Sequence, residues 1–205
     1  MCKINLKPPQ KFMSSSSNLK SSFFKHLRVL NRPHLDNFQK WIFLPGMLFN
    51  SLEKWWGDQA RRATPHEGLD LCSFEEVHGG IKNLDRHTTI PAAFAGEIVK
   101  ISQDFLGKSI FIRHAIVDEQ GRQFYSAYGH TRPRDYLNVG SQVAAGEAIA
   151  SMSDFSDKKF AVLPHVHITF AWISRHLDMD DLNWDNIGKD PSITLIDPLR
   201  MLEIY

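Results

Sequence analysis

Residues 164–170 have the sequence PHVHITF, which has the length and apolar character of a buried β-strand and carries histidines at two alternate positions. Because alternate side chains of a strand point to the same face, His165 and His167 are expected side by side, roughly 6–7 Å apart. Both rings can then line one pocket. Taken alone, the pair fits a metal or catalytic site and equally well a pair of hydrogen-bonded core histidines.

The composition predicts a globular protein with one domain of ordinary size. The chain has 205 residues, of which 42% are hydrophobic and 11% aromatic, so a substantial core can form. The net charge of +1 argues against nucleic acid as a partner, because there is no surplus of basic residues to attract phosphates. The two cysteines, Cys2 and Cys72, are too few for a disulfide framework.

Neither a membrane span nor an export signal is visible in the sequence. No apolar run reaches the length of about 18 residues that a membrane span needs. The N-terminal residues also lack the apolar core of roughly 7–15 residues that is typical of a secretory signal. On sequence alone, the prediction is therefore a cytoplasmic protein without a membrane span.

The first 35 residues differ in composition from the rest of the chain. Residues 1–35 contain seven Lys or Arg, no acidic residue and a run of four serines. Such a segment has little to bury. We predict a disordered, solvated tail over residues 1–35, most clearly as far as Asn18.

Two further regions follow the predicted tail. Residues 36–62 mix aromatic and charged side chains and are predicted to pack against the domain, and residues 51–62 fit either a helical turn or two or irregular packing. Core packing is the favoured interpretation of Trp55 and Trp56 in this segment, and a substrate groove is the alternative. The remaining residues, 63–205, are predicted to form a β domain.

Within the β domain, residues 73–89 form a polar insertion that predicts a long surface loop or a hairpin. The pattern is β throughout after it, in short apolar runs separated by glycines: 94–101, 109–117, 123–130, 141–151 and 165–173. Because no helical segment separates these runs, we predict a mainly β fold, an antiparallel sheet or barrel-sandwich, with short helical or irregular segments at its N- and C-termini. Residues 175–190 are predicted to be a charged surface segment.

Three other side chains are candidates to join the histidine pair. His66 and Asp70 are four positions apart, so they share one face if their segment is extended. His130 closes the third predicted strand, and Gly129 before it permits a bend that turns the ring into a cleft. With the histidine pair, these residues come from separate parts of the sequence and can meet in a single site.

This set of side chains has the chemistry of a catalytic zinc site. Two imidazoles and one carboxylate leave the fourth position of a zinc ion for water. Three of the five side chains can be ligands while two act on the water, and spacing alone does not assign them. Because the sequence HExxH is absent, no glutamate is placed as general base, and a histidine is expected in that role.

The order of these motifs resembles that of the lysostaphin/LytM-type zinc metallopeptidases, many of which cut peptide cross-links in bacterial peptidoglycan. The resemblance extends from about residue 61 to residue 173. It comprises the HxxxD pair, the strand end Tyr128-Gly129-His130, the glycine-marked hairpin at residues 139–148 and the HxH pair. It implies one Zn²⁺ ion, with three metal ligands and two catalytic histidines. The implied ligands are His66, Asp70 and His167, and the implied catalytic residues are His165 and His130.

The resemblance also implies an activity and a place of action. It implies a zinc-dependent endopeptidase that hydrolyses peptide bonds in peptidoglycan stem peptides or cross-bridges, in the cell envelope or outside the cell. The alternative is a catalytically inactive relative that docks on the cell wall or on a protein partner. A lipoyl- or biotin-carrier domain is disfavoured, because no lysine lies between Lys108 and Lys158.

Overall fold

The structure, a computed structural model, describes residues 19–57, 60–154 and 162–204. Two helices come first, α1 (Phe23–Leu30) and α2 (Arg32–Leu35). The strands in chain order are β1 (Phe38–Ile42), β2 (Leu69–Leu71), β3 (Ser73–Glu76), β4 (Ile81–Asn83), β5 (Thr89–Pro91), β6 (Gly96–Gln103), β7 (Lys108–Val117), β8 (Gln123–Pro133), β9 (Gln142–Val143), β10 (Ala148–Met152), β11 (Val166–Ile173) and β12 (Ile193–Ile196). The predicted mainly β fold class is confirmed.

The larger of two sheets is antiparallel and contains nine strands. Six of them follow the order β12-β11-β8-β7-β6-β9, while β10 joins β8 to β5. β8 occupies one edge of β11, so β2 and β12 share the other edge. Over the described residues the sheet does not close into a barrel. No helix in this part of the chain is long and apolar enough to cross a membrane.

The register of β11 brings residues from three strands into line. His167 is paired with Asp70 of β2 on one side and with Gly129 of β8 on the other. His130 follows Gly129, and His165 lies directly before β11. The backbone hydrogen bonds of the sheet therefore place side chains that are about 100 residues apart in sequence at one position of the fold.

Helices α1 and α2 correct the prediction of a disordered tail over residues 1–35. Phe23, Phe24 and Leu27 are fully buried in the core, so the prediction is wrong for the described part of this segment. The lysine and arginine side chains of the helices stay at least partly exposed. The basic composition of the segment thus concealed an amphipathic helix with an apolar face. Residues 1–18 lie outside the described residues.

The segment that follows the helices contributes a strand and an irregular loop. Phe38 and Trp41 of β1 are buried in the core. Of the two alternatives for residues 51–62, the residues described there show irregular packing and no helix, with a β-bridge between Glu53 and Arg61. The backbone of this stretch bonds to more distant residues instead of forming a helical ladder. Tertiary hydrogen bonds therefore override the local helical preference.

Two segments that were predicted at the surface also contribute to the core. In residues 73–89, β3 and β4 form a hairpin, and β3 pairs with β1 in the second, three-stranded sheet, where Phe74 is buried. In residues 175–190, Leu182 and Ile187 are buried against apolar side chains of β7, β8 and β11. Most charged side chains of this stretch are exposed, as predicted, but the prediction missed the few apolar residues that anchor it to the sheet.

His114 gives the stability of this fold a dependence on pH. Its ring is fully buried on β7, and its two nitrogens lie 2.9 Å from the carbonyl oxygen of Ala95 and 2.9 Å from the hydroxyl of Ser126. Burial lowers the pKa of His114 from 6.5 to about 4. Between these values the unfolded chain binds more protons than the folded chain, so the free energy of unfolding falls as the pH drops from about 6.5 to 4.

We expect His114→Gln to reduce this fall by about 3 kcal/mol between pH 7 and pH 4, since one unit of pKa corresponds to about 1.4 kcal/mol. Glutamine can keep both hydrogen bonds but does not titrate. Urea unfolding at a series of pH values measures the effect. His176→Gln, at an exposed residue, is the control and keeps the full dependence. An equal pH dependence in His114→Gln and the unsubstituted protein would contradict the assignment.

Candidate metal centre and active site

His66, Asp70 and His167 meet where β2 pairs with β11. Nε2 of His66 lies 3.1 Å from Nδ1 of His167 and 3.3 Å from Oδ1 of Asp70. Nδ1 of His167 lies 2.8 Å from the same carboxylate oxygen. All three side chains are buried. The structure thus brings together the three residues for which the family resemblance implied a metal-binding role.

Gly68 permits the close approach of β2 to β11. A Cβ atom at this position would lie 2.2 Å from the carbonyl oxygen of Ile168 and 2.7 Å from Oγ1 of Thr169. Both contacts are far shorter than real Cβ contacts, so a larger residue would force the two segments apart. The glycine between His66 and Asp70 is therefore required by packing at the cluster.

The outer nitrogens of the two cluster histidines have hydrogen-bond partners that orient the rings. Nδ1 of His66 donates to the carbonyl oxygen of Leu48 at 3.0 Å, which puts the lone pair of this ring on Nε2. Nε2 of His167 lies 2.9 Å from Oγ1 of Thr169, which leaves Nδ1 facing the carboxylate. Such outer partners fix the tautomer and direction of metal-ligating histidines.

Asp70 is held in the ionised form by its surroundings. Its second oxygen, Oδ2, accepts a hydrogen bond of 2.7 Å from Nε1 of Trp55, and Nη2 of Arg62 lies 3.7 Å from it. Burial alone would raise the pKa of Asp70, but the charges and hydrogen bonds of the neighbouring histidines lower it well below its usual range. One carboxylate oxygen thus remains for the cluster while the other is anchored.

The three donors fit a zinc ion. Zinc bonds to imidazole nitrogen and carboxylate oxygen are about 2.0–2.2 Å long, so neighbouring ligand atoms of a tetrahedral site are about 3.3–3.5 Å apart. The donor atoms here are 2.8–3.3 Å apart, close to that spacing. Two imidazoles and one carboxylate form the three-ligand set that leaves a position for water. The residues present are therefore suited to a catalytic metal.

His165 lies beside this cluster. Its Nδ1 donates a hydrogen bond of 2.8 Å to the carbonyl oxygen of Leu163, and its Nε2 lies 3.9 Å from Oδ1 of Asp70. The centres of the His165 and His130 rings are 4.8 Å apart. Burial lowers the pKa of His165 to about 4, so the ring is neutral at pH 7. The two residues predicted as catalytic histidines are thus neighbours of each other and of the cluster.

His130 has an uncommon backbone conformation inside β8. The strand continues to Pro133, so the prediction that it closes at His130 is wrong. The residue with positive φ is His130 itself, at +61°, and not Gly129. Such a conformation costs about 1–3 kcal/mol for a residue other than glycine. It persists because Oδ2 of Asp104 accepts a hydrogen bond of 2.9 Å from the His130 backbone N–H.

One pocket of about 250 Å³ contains all five side chains that the sequence singled out. Its lining consists of Trp56, Arg62, His66, Glu67, Asp70, Phe105, Leu106, His130, Val162, His165, His167 and Trp184. The histidines and the aspartate are brought together by β2, β8 and β11. Aromatic and apolar side chains form much of the remaining wall.

Several residues of the site were missed by the sequence analysis. Trp56 lines the pocket, contrary to the expected core packing, and Trp55 holds Asp70. Arg62 stacks on the Trp56 ring at 4.4 Å. Trp184 belongs to the segment that was predicted at the surface, and Asp104 lies in the turn between β6 and β7. The tryptophan pair just before the HxxxD motif was the only signal for these residues in the sequence.

The family model for peptidase family M23 matches residues 76–179, half of the chain. The chain therefore belongs to peptidase family M23. The matched part includes β4 to β11 and contains His130, His165 and His167. His66 and Asp70 precede it, and the pairing of β2 with β11 brings them to the site.

Comparison with solved structures gives low sequence identities. Lysostaphin in solution is 18% identical, over 90% of this chain and 54% of that chain, with a TM-score of 0.45. CbpA from L. salivarius REN is 17% identical, over 77% of this chain and 84% of that chain, with a TM-score of 0.45. LytU is 20% identical, over 65% of this chain and 74% of that chain, with a TM-score of 0.43. The chain spans about half the length of lysostaphin. Comparison with curated proteins finds no match.

Proposed function

We propose that this protein is a zinc-dependent endopeptidase that hydrolyses peptide bonds in peptidoglycan stem peptides or cross-bridges. The observation that carries the proposal is the buried cluster of His66, Asp70 and His167 with His165 and His130 beside it in one pocket. Membership of peptidase family M23 supports the reaction class. The resemblance of the motifs to lysostaphin/LytM-type enzymes supports a substrate in the cell wall.

The ion would be held by Nε2 of His66, Oδ1 of Asp70 and Nδ1 of His167. When bound, zinc lowers the pKa of a coordinated water to about 7 and polarises the carbonyl group of the bond to be cut. The outer hydrogen bonds from Trp55 and to Leu48 keep the donor atoms directed at one point.

His165 acts in this proposal as the general base. The hydrogen bond from its Nδ1 to a backbone carbonyl leaves the lone pair on Nε2, which faces the cluster. Nε2 is 3.9 Å from the Asp70 oxygen, so a water held at the cluster comes within hydrogen-bond reach of it. His165 therefore takes a proton from the attacking water.

His130 acts on the substrate side of the reaction. Its ring is close to that of His165 and lies 4.9 Å from the ring of Phe105, which is 63% exposed at the mouth of the pocket. From this position His130 can donate a hydrogen bond to the developing oxyanion or assist proton transfer. Phe105 and Trp56 offer apolar walls to the peptide main chain.

The complete donor set supports an active enzyme over a module that only docks. Docking requires a complementary surface, but it does not require three buried ligand atoms and two more histidines in the same pocket. In the described residues all five side chains are present and converge.

The proposal is tested by metal analysis of the purified protein followed by mass spectrometry of peptidoglycan fragments after incubation. We expect one zinc ion per chain and new peptide ends that disappear when a chelator removes the metal. Bound zinc without cleavage would favour a docking role or another peptide substrate. A protein that binds no zinc would contradict the proposal.

We expect Trp55→Phe to weaken zinc binding about 10–100-fold, the range typical for loss of a partner of a metal ligand. Phenylalanine keeps an aromatic ring near His165 but cannot donate a hydrogen bond to Asp70. Competition with a fluorescent zinc chelator gives the dissociation constant. Trp56→Phe is the control, since Asp70 accepts its indole hydrogen bond from Trp55. If the two variants bound zinc equally tightly, the hydrogen bond from Trp55 to Asp70 would have no effect on the zinc affinity.

A further inference from the structure

We propose that Asp104 positions His130 so that His130 donates a proton to the leaving amine, while His165 is the general base that takes a proton from the attacking water. This inference rests on the proposed function, because it divides the roles of the two histidines within the same site. Nothing in the sequence motifs singles out Asp104, which lies in the turn between β6 and β7.

Asp104 holds both the ring and the backbone of His130. Its Oδ1 lies 3.2 Å from Nδ1 of the ring, and its Oδ2 accepts a hydrogen bond of 2.9 Å from the backbone N–H. The backbone contact fixes the residue at its positive φ, and the ring contact fixes the direction of the imidazole. A single carboxylate thus determines where the His130 side chain points.

The carboxylate is itself immobilised. Oδ1 accepts hydrogen bonds from the backbone N–H groups of Leu106 and Gly107, at 2.9 and 2.6 Å. Oδ2 accepts one from the hydroxyl of Ser109 at 2.6 Å, and that hydroxyl accepts one from Nε1 of Trp184 at 2.7 Å. The side chain of Asp104 is only 1% exposed. This network gives Asp104 no freedom to leave His130.

The ionised form of Asp104 is favoured by the same contacts. Burial alone would raise the pKa of Asp104, but the hydrogen bonds and charge of His130 and the hydroxyl of Ser109 lower it below its usual range. The group next to the His130 ring is therefore a carboxylate at neutral pH.

His130 and His165 differ in the partner of Nδ1. That partner is a carboxylate for His130 and the neutral carbonyl oxygen of Leu163 for His165. A carboxylate places the proton on Nδ1 of His130 and stabilises the imidazolium that forms when Nε2 also carries one. A carbonyl oxygen fixes the tautomer but stabilises the charge less. His130 is therefore the better carrier of a positive charge.

The proton movements balance in this division of roles. The water oxygen bonds to the carbonyl carbon, and His165 takes a proton from the water. When the C–N bond breaks, its electron pair stays on the amine nitrogen, which takes a proton from Nε2 of His130. Solvent then returns a proton to His130 and removes the one on His165. The immediate products are a carboxylic acid and a neutral amine, and transfer of the acid proton to the amine, directly or through solvent, gives the carboxylate and the protonated amine.

The test compares Asp104→Asn on two substrates of the same sequence, one with the scissile amide and one with an ester in its place. Because an alkoxide leaves with less need of a proton than an amine, we expect a loss of about 100-fold or more in kcat for the amide. For the ester we expect kcat to fall by less than about 5-fold. We also expect the zinc content of Asp104→Asn to be unchanged. Equal losses on both substrates, or no loss on the amide, would overturn the proposal.

A second readout does not depend on turnover. Nitrogen-15 NMR of the imidazole rings reports which nitrogen carries the proton, and we expect the neutral form of the His130 ring to carry it on Nδ1 in the unsubstituted full-length protein. In Asp104→Ala, which removes both carboxylate oxygens, we expect a mixture of tautomers. If the unsubstituted protein cleaves neither substrate, the proposed function fails, and the tautomer of His130 still decides whether Asp104 positions it. An unchanged tautomer in Asp104→Ala overturns the positioning role.

Asp118→Asn is the matched control. Asp118 closes the turn between β7 and β8 with the same kind of contacts, since its Oδ1 accepts from the backbone N–H groups of Gln120 and Arg122. It lines no part of the pocket. We expect the activity of Asp118→Asn on both substrates to equal that of the unsubstituted protein. If Asp104→Asn fails to fold, Ser109→Ala removes one hydrogen bond to the carboxylate, and a smaller loss confined to the amide is expected.

Discussion

His165→Ala should bind zinc as tightly as the unsubstituted protein and hydrolyse its peptide substrate at least about 100-fold more slowly. Nε2 of this ring faces the cluster without belonging to the three donor atoms that lie within 4.8 Å of one another. Removing a general base typically costs about 10²–10⁴ in rate. Metal analysis and the rate of peptide cleavage, measured on the same sample, give the two quantities.

The matched control for this variant is His176→Ala, which removes an exposed histidine beyond the end of β11. It should bind zinc and hydrolyse the peptide substrate as the unsubstituted protein does. If His165→Ala retained near-normal turnover with zinc bound, the base would have to be another residue, and the roles assigned to His165 and His130 would be wrong. If it lost zinc, His165 would belong to the metal ligands.

His167→Ala should abolish zinc binding and, with it, all activity. Its Nδ1 lies close to donor atoms of both His66 and Asp70, so the cluster has no third donor without it. We expect the loss of zinc affinity to exceed the roughly 10–100-fold that follows removal of an outer partner. Equilibrium dialysis against a zinc buffer measures it.

Thr169→Val provides the comparison for His167→Ala, because Oγ1 of Thr169 is the outer partner of the same ring. Valine has nearly the same shape and cannot hydrogen-bond Nε2 of His167. We expect its zinc affinity to fall by about 10-fold, well short of the loss in His167→Ala. Retention of one tightly bound zinc ion in His167→Ala would exclude the proposed ligand set.

The central strands and the five site residues could be predicted from the sequence because each carries a local signal. Apolar runs between glycines marked the strands that became β6, β7, β8, β10 and β11. In the same way, histidines at alternate positions of a buried run are uncommon enough to be noticed. The even spacing of His66 and Asp70 gave the right relation between them, since β2 is extended and paired with β11.

The parts of the site that were missed depend on tertiary contacts. Trp55 reaches Asp70 through its indole N–H, and a tryptophan in sequence gives no indication of where that group will point. Asp104 resembles any turn aspartate until the turn is placed against β8. The positive φ of His130 is likewise set by a hydrogen bond from its own N–H to a residue 26 positions away. None of these contacts leaves a periodic pattern or a fixed spacing in the sequence.

Composition misled the prediction for the N-terminal segment. Seven basic residues and a serine run in residues 1–35 outweighed three apolar side chains, Phe23, Phe24 and Leu27, that share one face of α1. A short amphipathic helix of eight residues needs only such a face to be stabilised by packing. Averages over a long segment concealed a local pattern.

The most direct test of the proposed function is the mass of the peptide ends formed from peptidoglycan fragments by the zinc-loaded protein in water labelled with heavy oxygen. Hydrolysis predicts that each new carboxyl end carries one heavy oxygen atom and that each matching amine end carries none. The products should be absent with the chelated protein and with His165→Ala. Zinc-loaded protein that leaves the peptides of these fragments intact would contradict the account.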